Sequence, residues 1–209
     1  MSGNRSRPDH YSRRAKQEGY QARSVYKLQE IQQRFHLIRA GNRVLDLGAA
    51  PGSWSRFLLR VVGPGGSVVA GDLGVIELPP DPRLELLQLD ILGENFPAEL
   101  ERRGPFDAVV SDAAPATTGG RVLDTARSAA LVEAIVASLP SCLRPGGNLA
   151  VKIFQGGEEQ ELLRSLRHAF DSARAFKPKA CRSESFETYL VGMGFRGESE
   201  REQRDILPV

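Results

Sequence analysis

Lys152 stands inside an apolar run, Leu149-Ala-Val-Lys152-Ile-Phe154, of the kind that fills the centre of a parallel sheet. An ammonium buried there without compensation is costly, so the fold must supply carboxylate partners, depress the lysine's pKa, or both. A lysine tuned in that way can act as a general base. Asp72, Asp90 and Asp112 each close a predicted strand, and Glu187 opens the last one. Three acids along one sheet edge exceed what chance placement requires.

A second signature is Val44-Leu-Asp46-Leu-Gly48-Ala-Ala-Pro51-Gly52, a strand followed by a small-residue turn that opens a helix. Small residues such as Gly48 and Gly52 let a ligand approach the backbone, and the helix start offers unsatisfied N–H groups. The turn is not GxGxxG, which disfavours a nicotinamide oxidoreductase. Asp46, inside the strand, suits a cationic ligand such as S-adenosylmethionine (SAM). Asp72 is placed to meet ribose hydroxyls and Asp90 to accept from an adenine amino group, with a turn or cap role as the alternative for each. Trp54 sits at helical spacing, where core packing competes with lining the SAM pocket.

The elements that must position these residues alternate. Strands are expected at Arg43–Leu47, Ser67–Ala70, Leu84–Leu89, Phe106–Ser111, the lysine-bearing run, Ala173–Phe176 and Glu187–Met193. Helices are expected at Ser24–Phe35, Ser53–Val62, Thr125–Leu143 and Glu158–Phe170. Such alternation predicts an α/β, Rossmann-like fold with a mostly parallel seven-stranded sheet. Its ligands gather at the carboxyl ends of the strands. The connection Lys177 to Phe186 is too short for a helix, so the last strand is expected to run antiparallel, starting at the edge where the others finish. Glu187 then falls near Asp112 and Lys152.

With 209 residues, 41% hydrophobic and 26% charged, the chain suits one soluble domain. No apolar run approaches the roughly 20 residues that span a bilayer. The start, MSGNRSRPDHYSRR, lacks an apolar signal region, so a cytoplasmic protein without membrane association is expected. Cys142 and Cys181 lie far apart and the three histidines are scattered, which predicts neither a disulfide framework nor a metal site. The net charge of +2 hides a basic first 40 residues. We read 1–22 as a basic arm, 23–196 as the catalytic domain and 197–209 as a polar tail. A basic segment on a near-neutral domain suggests a polyanionic partner. Arg5, Arg7, Arg13, Arg14, Lys16 and Arg23 are candidates for salt-sensitive phosphate contacts, with Tyr11, Tyr20 and Tyr26 stacking on bases or packing beneath the arm.

Five stretches occur in order: Glu18-Gly-Tyr-Gln-Ala-Arg23-Ser-Val-Tyr-Lys27-Leu, Asp46-Leu-Gly-Ala-Ala-Pro-Gly-Ser-Trp54-Ser, Ser111-Asp112-Ala-Ala-Pro115, Val151-Lys152-Ile-Phe-Gln-Gly156 and Phe186-Glu187-Thr-Tyr189. Together they resemble the FtsJ/RrmJ-like family of RNA 2′-O-ribose methyltransferases, over roughly Tyr11 to Phe195. The resemblance implies a SAM-dependent enzyme with a catalytic tetrad at Lys27, Asp112, Lys152 and Glu187. It places SAM contacts at Gly52, Trp54, Asp72, Asp90 and Asp112. The chain looks most similar to bacterial enzymes that modify a uridine ribose in 23S ribosomal RNA, which implies the large ribosomal subunit as partner and a monomer. Ser53 departs from the glycine common in that group and also occurs in relatives acting on the transfer RNA anticodon loop, which stay as the alternative. Lys152 is expected to be the base. Rivals are a SAM enzyme for a small molecule, which would not need the basic arm, and a non-catalytic RNA-binding factor, which would not need the tetrad.

Overall fold

A computed structural model describes residues 10–182 and 184–197. Seven strands form one sheet in the order β3-β2-β1-β4-β5-β7-β6. They are β1 (Arg43–Leu47), β2 (Ser67–Asp72), β3 (Leu84–Gln88), β4 (Phe106–Ser111), β5 (Leu143–Phe154), β6 (Phe170–Phe176) and β7 (Glu187–Phe195). β1 to β5 run parallel to one another, and β7 inserts antiparallel between β5 and β6. The helices are α1 (His10–Gln17), α2 (Val25–Phe35), α3 (Ser53–Val62), α4 (Phe96–Arg103), α5 (Arg121–Cys142) and α6 (Glu158–Ala169). The mostly parallel, seven-stranded α/β sheet with its antiparallel last strand is as expected.

Side chains alternate across the sheet, so each strand feeds two cores. Val44, Val68, Ala70, Ala108, Val110, Ala150 and Val191 pack on one face with Leu28 and Ile31 of α2 and Leu58 of α3. Leu45, Val69, Val109, Leu149, Val151 and Ile153 pack on the other with Phe96 of α4, Ile135 of α5 and Leu166 of α6. Ala150 and Lys152 therefore point to the α2–α3 side. That parity brings Lys27, on α2, within reach of a strand lysine.

Several local features differ from the expectation: α1 was not foreseen, and β6 starts three residues early. α4 was not foreseen: it is eight residues long and buries only Phe96 and Leu100, too few positions for a helical period to stand out. α5 starts four residues early because Asp124 accepts from Thr118 N, Thr118 Oγ and Gly119 N, holding the loop ahead of it. β5 runs back from the lysine-bearing run through Arg144-Pro-Gly-Gly147, with a register shift between Phe106 and Ala108 where this irregular stretch meets β4.

The segment read as a basic arm is partly packed, the alternative given for its tyrosines. Ala15 of α1 and Tyr20 are buried with Val25, Tyr26 and Ala180, and Tyr11 lies against them. Arg5 and Arg7, and the tail from residue 198, lie outside the described residues.

Candidate active site

At the sheet's carboxyl edge Lys152 is 9% exposed, and its Nζ lies 2.9 Å from Asp112 Oδ1 while also donating to the Asp112 main-chain carbonyl. Asp112 follows the end of β4, and its N–H donates to Leu47 O on neighbouring β1, which fixes the backbone there. The antiparallel register places Tyr189 opposite Lys152 and Glu187 opposite Phe154. Tyr189 Oη donates to the same Asp112 Oδ1 at 2.6 Å. Lys27 Nζ stands 2.8 Å from Glu187 Oε1 and 4.0 Å from Asp112 Oδ1. The four side chains thus form a line, Glu187–Lys27–Asp112–Lys152, with Glu187 paired to Lys27 rather than to Lys152.

Two ammonium groups face two carboxylates, so the cluster is neutral when all four are ionised. Burial alone would push the Asp112 carboxyl up, but the charges of Lys152 and Lys27 and the Tyr189 hydrogen bond outweigh it and hold the pKa below the usual value. Burial likewise opposes the Lys27 ammonium, and the carboxylates of Asp112 and Glu187 overcome it, leaving that pKa raised. Lys27 is therefore a fixed cation at neutral pH. Burial, with Asp112 beside it, raises the Tyr189 phenol well above its ordinary value, so Tyr189 is a donor only.

A cleft of about 320 Å³ opens across the ends of β1, β2 and β4, with Gly48, Asp72, Asp90, Asp112, Ile91 and Leu131 among its walls. Asp72 also organises its floor, accepting from Ala50 N at 2.9 Å and Gly74 N at 2.7 Å. Asp90 accepts from Leu92 N at 3.0 Å, so its turn role coexists with a place on the wall. Gly48 has φ +71, and an added Cβ would lie 2.5 Å from Ala113 N and Cα; the loops after β1 and β4 meet there.

Three residues picked for the cofactor lie beneath this cleft instead of on its wall. Gly52, at φ +118, caps α3, and a Cβ there would meet Leu78 Cγ at 2.7 Å. Trp54 is 2% exposed, donates from Nε1 to Ser24 O and stacks on Tyr189 with centroids 6.0 Å apart. Asp46 is fully buried: Oδ2 accepts from Ser55 Oγ at 2.6 Å, and Oδ1 has no partner among the described residues. Burial pushes the Asp46 carboxyl up to about 7, with Ser55 opposing and Asp112 and Asp72 adding to the rise.

Of the basic candidates, Arg13 and Lys16 are exposed on α1, while Arg14 pairs with Glu18 at 2.6 Å and lies over the Tyr26 ring. Arg23 is half-buried and donates to Ala180 O. Tyr189 and Ser55 were missed as site residues. Tyr189 was findable, since it shares Glu187's strand parity and carries a hydroxyl on that face; Ser55 needed the helix's orientation over Asp46.

A profile described as FtsJ-like methyltransferase matches residues 20–195. The chain belongs to that family. It is 49% identical over 193 residues to the ribosomal RNA large subunit methyltransferase E of Treponema denticola, covering 92% of this chain and 97% of the relative. The protein of the same name from Syntrophobacter fumaroxidans is 48% identical, with 90% and 96% covered. Among solved structures, one described as a ribosomal RNA methyltransferase of Plasmodium falciparum superposes with a TM-score of 0.75 at 26% identity, covering 86% of this chain and all of that one. A fibrillarin/Nop5p complex, at 15% identity and TM-score 0.58, shares the fold alone.

Proposed function

We propose that the chain transfers a methyl group from SAM to a ribose 2′-hydroxyl, a uridine's on the resemblance of its motifs, in large-subunit 23S ribosomal RNA. One observation carries the reading. Lys152, held by Asp112, belongs to a cluster that touches two cavities: Asp112 lines the cleft with Asp72 and Asp90, and Lys27 and Glu187 line a second cavity. A donor on one side and an acceptor on the other would place the reacting atoms at the lysine.

The cleft suits SAM by its chemistry. Asp72, Asp90 and Asp112 offer carboxylates to ribose hydroxyls, an adenine amino group and a cationic ligand, and Leu89, Ile91 and Leu131 offer an apolar wall for a base. Gly48, Gly52 and Trp54 would act by shaping this wall from below, and Asp46 by supporting the turn over it. When bound, the sulfonium supplies an electrophilic methyl group.

A ribose hydroxyl is a poor nucleophile near neutral pH, so alignment and proton removal are the tasks left to the protein. The raised pKa of Lys27 and its ion pair to Glu187 favour its acting as a cation rather than as the base. Lys152 accepts the hydroxyl proton at Nζ. Asp112 orients that amine through its carbonyl and carboxylate, Tyr189 fixes the carboxylate, and the Lys27 ammonium stabilises charge building on the attacking oxygen.

The ribosomal substrate rests on relatives nearly half identical over almost their whole length. Action as a cytoplasmic monomer on the large subunit goes with that reading. Radiolabelled SAM is offered to large subunits, small subunits and transfer RNA from a strain lacking the protein. Label confined to large-subunit RNA is expected; label on transfer RNA alone would overturn the substrate. Lys152→Ala should bind SAM and RNA as the parent does yet transfer no methyl group. Full turnover by that variant would remove the base assignment.

A further inference from the structure

Asp46 is fully buried in β1 and takes no part in the four-residue cluster. Its side chain shares the parity of Val44 and points to the α2–α3 face, whereas Leu45 and Leu47 point to the other. The register sets Asp46 opposite Ala70 of β2 and Val110 of β4. Asp72 and Asp112 each follow two residues farther along those neighbours, so they stand roughly 8 Å from Asp46 at the Cα, and both line the cleft. Lys152 is level with Asp112 and already engaged there, so it does not serve Asp46. From α3, Ser55 Oγ donates to Oδ2, and no described residue meets Oδ1. A carboxylate shut from solvent with no cation beside it is costly, and two more carboxylates nearby add to the cost. Burial is the main reason that this carboxyl keeps its proton up to about pH 7; Ser55 opposes it, and Asp112 and Asp72 reinforce it.

We propose that Asp46 is a specificity residue that separates the methyl donor from its demethylated product by charge, giving its proton to solvent when a sulfonium enters the cleft and regaining one when the neutral thioether takes its place. The assignment rests on the reading of the cleft as the SAM site. SAM and S-adenosylhomocysteine differ by one methyl group and one positive charge, so shape separates them little. A positive charge in the cleft offsets the repulsion that Asp72 and Asp112 exert on Asp46 and favours its carboxylate; a neutral sulfur does not. By reciprocity the carboxylate so formed holds the donor more tightly than the product. The preference is smallest where Asp46 keeps its proton in both complexes. It grows as pH rises, then levels once Asp46 is ionised even without a ligand. A unit charge at such a separation is worth about tenfold in the affinity ratio.

The test is calorimetric titration of the full-length protein with SAM and with S-adenosylhomocysteine, from about pH 5 to about pH 8, in buffers of different ionisation enthalpy. Relative to Asp46→Asn, the parent's ratio of SAM to product affinity should rise about tenfold over that range. At about pH 6.5 the parent should release about half a proton more than the variant per SAM bound, with no such excess for the product. The ligands' own amino groups titrate alike against both proteins and cancel. Ser55→Ala keeps the carboxyl but removes the donor that opposes its protonation, so the rise in the ratio should move to higher pH. A carboxyl that merely supported the turn would leave that midpoint where it is. A parent ratio that varies with pH no more than that of Asp46→Asn, equal proton release for the two ligands, or a rise that Ser55→Ala leaves in place would each overturn the assignment. A parent that fails to bind SAM sinks the cofactor reading along with it, whereas binding of both ligands with a flat ratio sinks the proton linkage alone.

Discussion

Replacing Asp46 by Asn should change the pH dependence of stability more than its level. Asp46 is fully buried, with one oxygen on Ser55 and the other without a partner among the described residues. Burial raises its pKa from 3.8 to about 7. The folded pKa exceeds the unfolded one, so the native state binds the extra proton, and stability falls as pH rises from 3.8 to about 7 before levelling. At roughly 1.4 kcal/mol per pH unit, the cost of Asp46 reaches about 4 kcal/mol by neutrality. Asn keeps the shape and an acceptor for Ser55 but does not titrate. Its amide brings N–H donors that go unpaired, a constant penalty of about 1–3 kcal/mol. Urea unfolding of both proteins from about pH 5 to about pH 8 isolates the effect, since groups that do not interact with Asp46 cancel in the difference. Asp46→Asn should gain on the parent by about 3 kcal/mol between about pH 5 and about pH 7, then run parallel to it. A difference that stays constant across the range would show that burial does not hold the proton on Asp46, and the reasoning fails.

Tyr189→Phe keeps the ring on Trp54 but removes the donor to Asp112. It should cost about 1.5–3 kcal/mol in urea unfolding and slow methyl transfer with little change in SAM affinity. Gly48→Ala forces a Cβ to 2.5 Å from Ala113 at a positive φ; a loss of about 2–4 kcal/mol in thermal unfolding and weaker SAM binding by calorimetry are expected. Ser53→Ala leaves the part-buried Ala22 N–H without its acceptor at 2.7 Å. The unfolding free energy should drop by about 1–2 kcal/mol, and hydrogen exchange at Ala22 should accelerate.

Much of this centre could be read from residue order because strand parity and topology are themselves readable. Lys152 in an apolar run, acids closing successive strands and a short last connection suffice to bring Asp112, Lys152 and Glu187 to one edge. What escaped depends on how helices sit over the sheet. Trp54 and Asp46 have the right types for a ligand wall, yet Trp54 turns inward from α3 onto Tyr189 and Ser55 of the same helix covers Asp46, and no spacing rule distinguishes a residue under a turn from one on it. The first helix shows the same limit: its basic residues suggest a solvated arm, whereas Ala15 and Tyr20 anchor it.

The link between residues 18–24 and the turn after β1 runs through several bonds. Ala22 N donates to Ser53 Oγ, Trp54 Nε1 to Ser24 O, and Gln21 to the carbonyl of Glu77, whose own N–H donates to Pro51 O. The strip carrying Arg23 is thus sewn to the loops beside the cleft rather than hung from the molecule as an interchangeable appendage. A chimaera that borrows another protein's leading segment must import the opening turn of α3 and the stretch around Glu77 with it, or the graft will have nothing to fasten to.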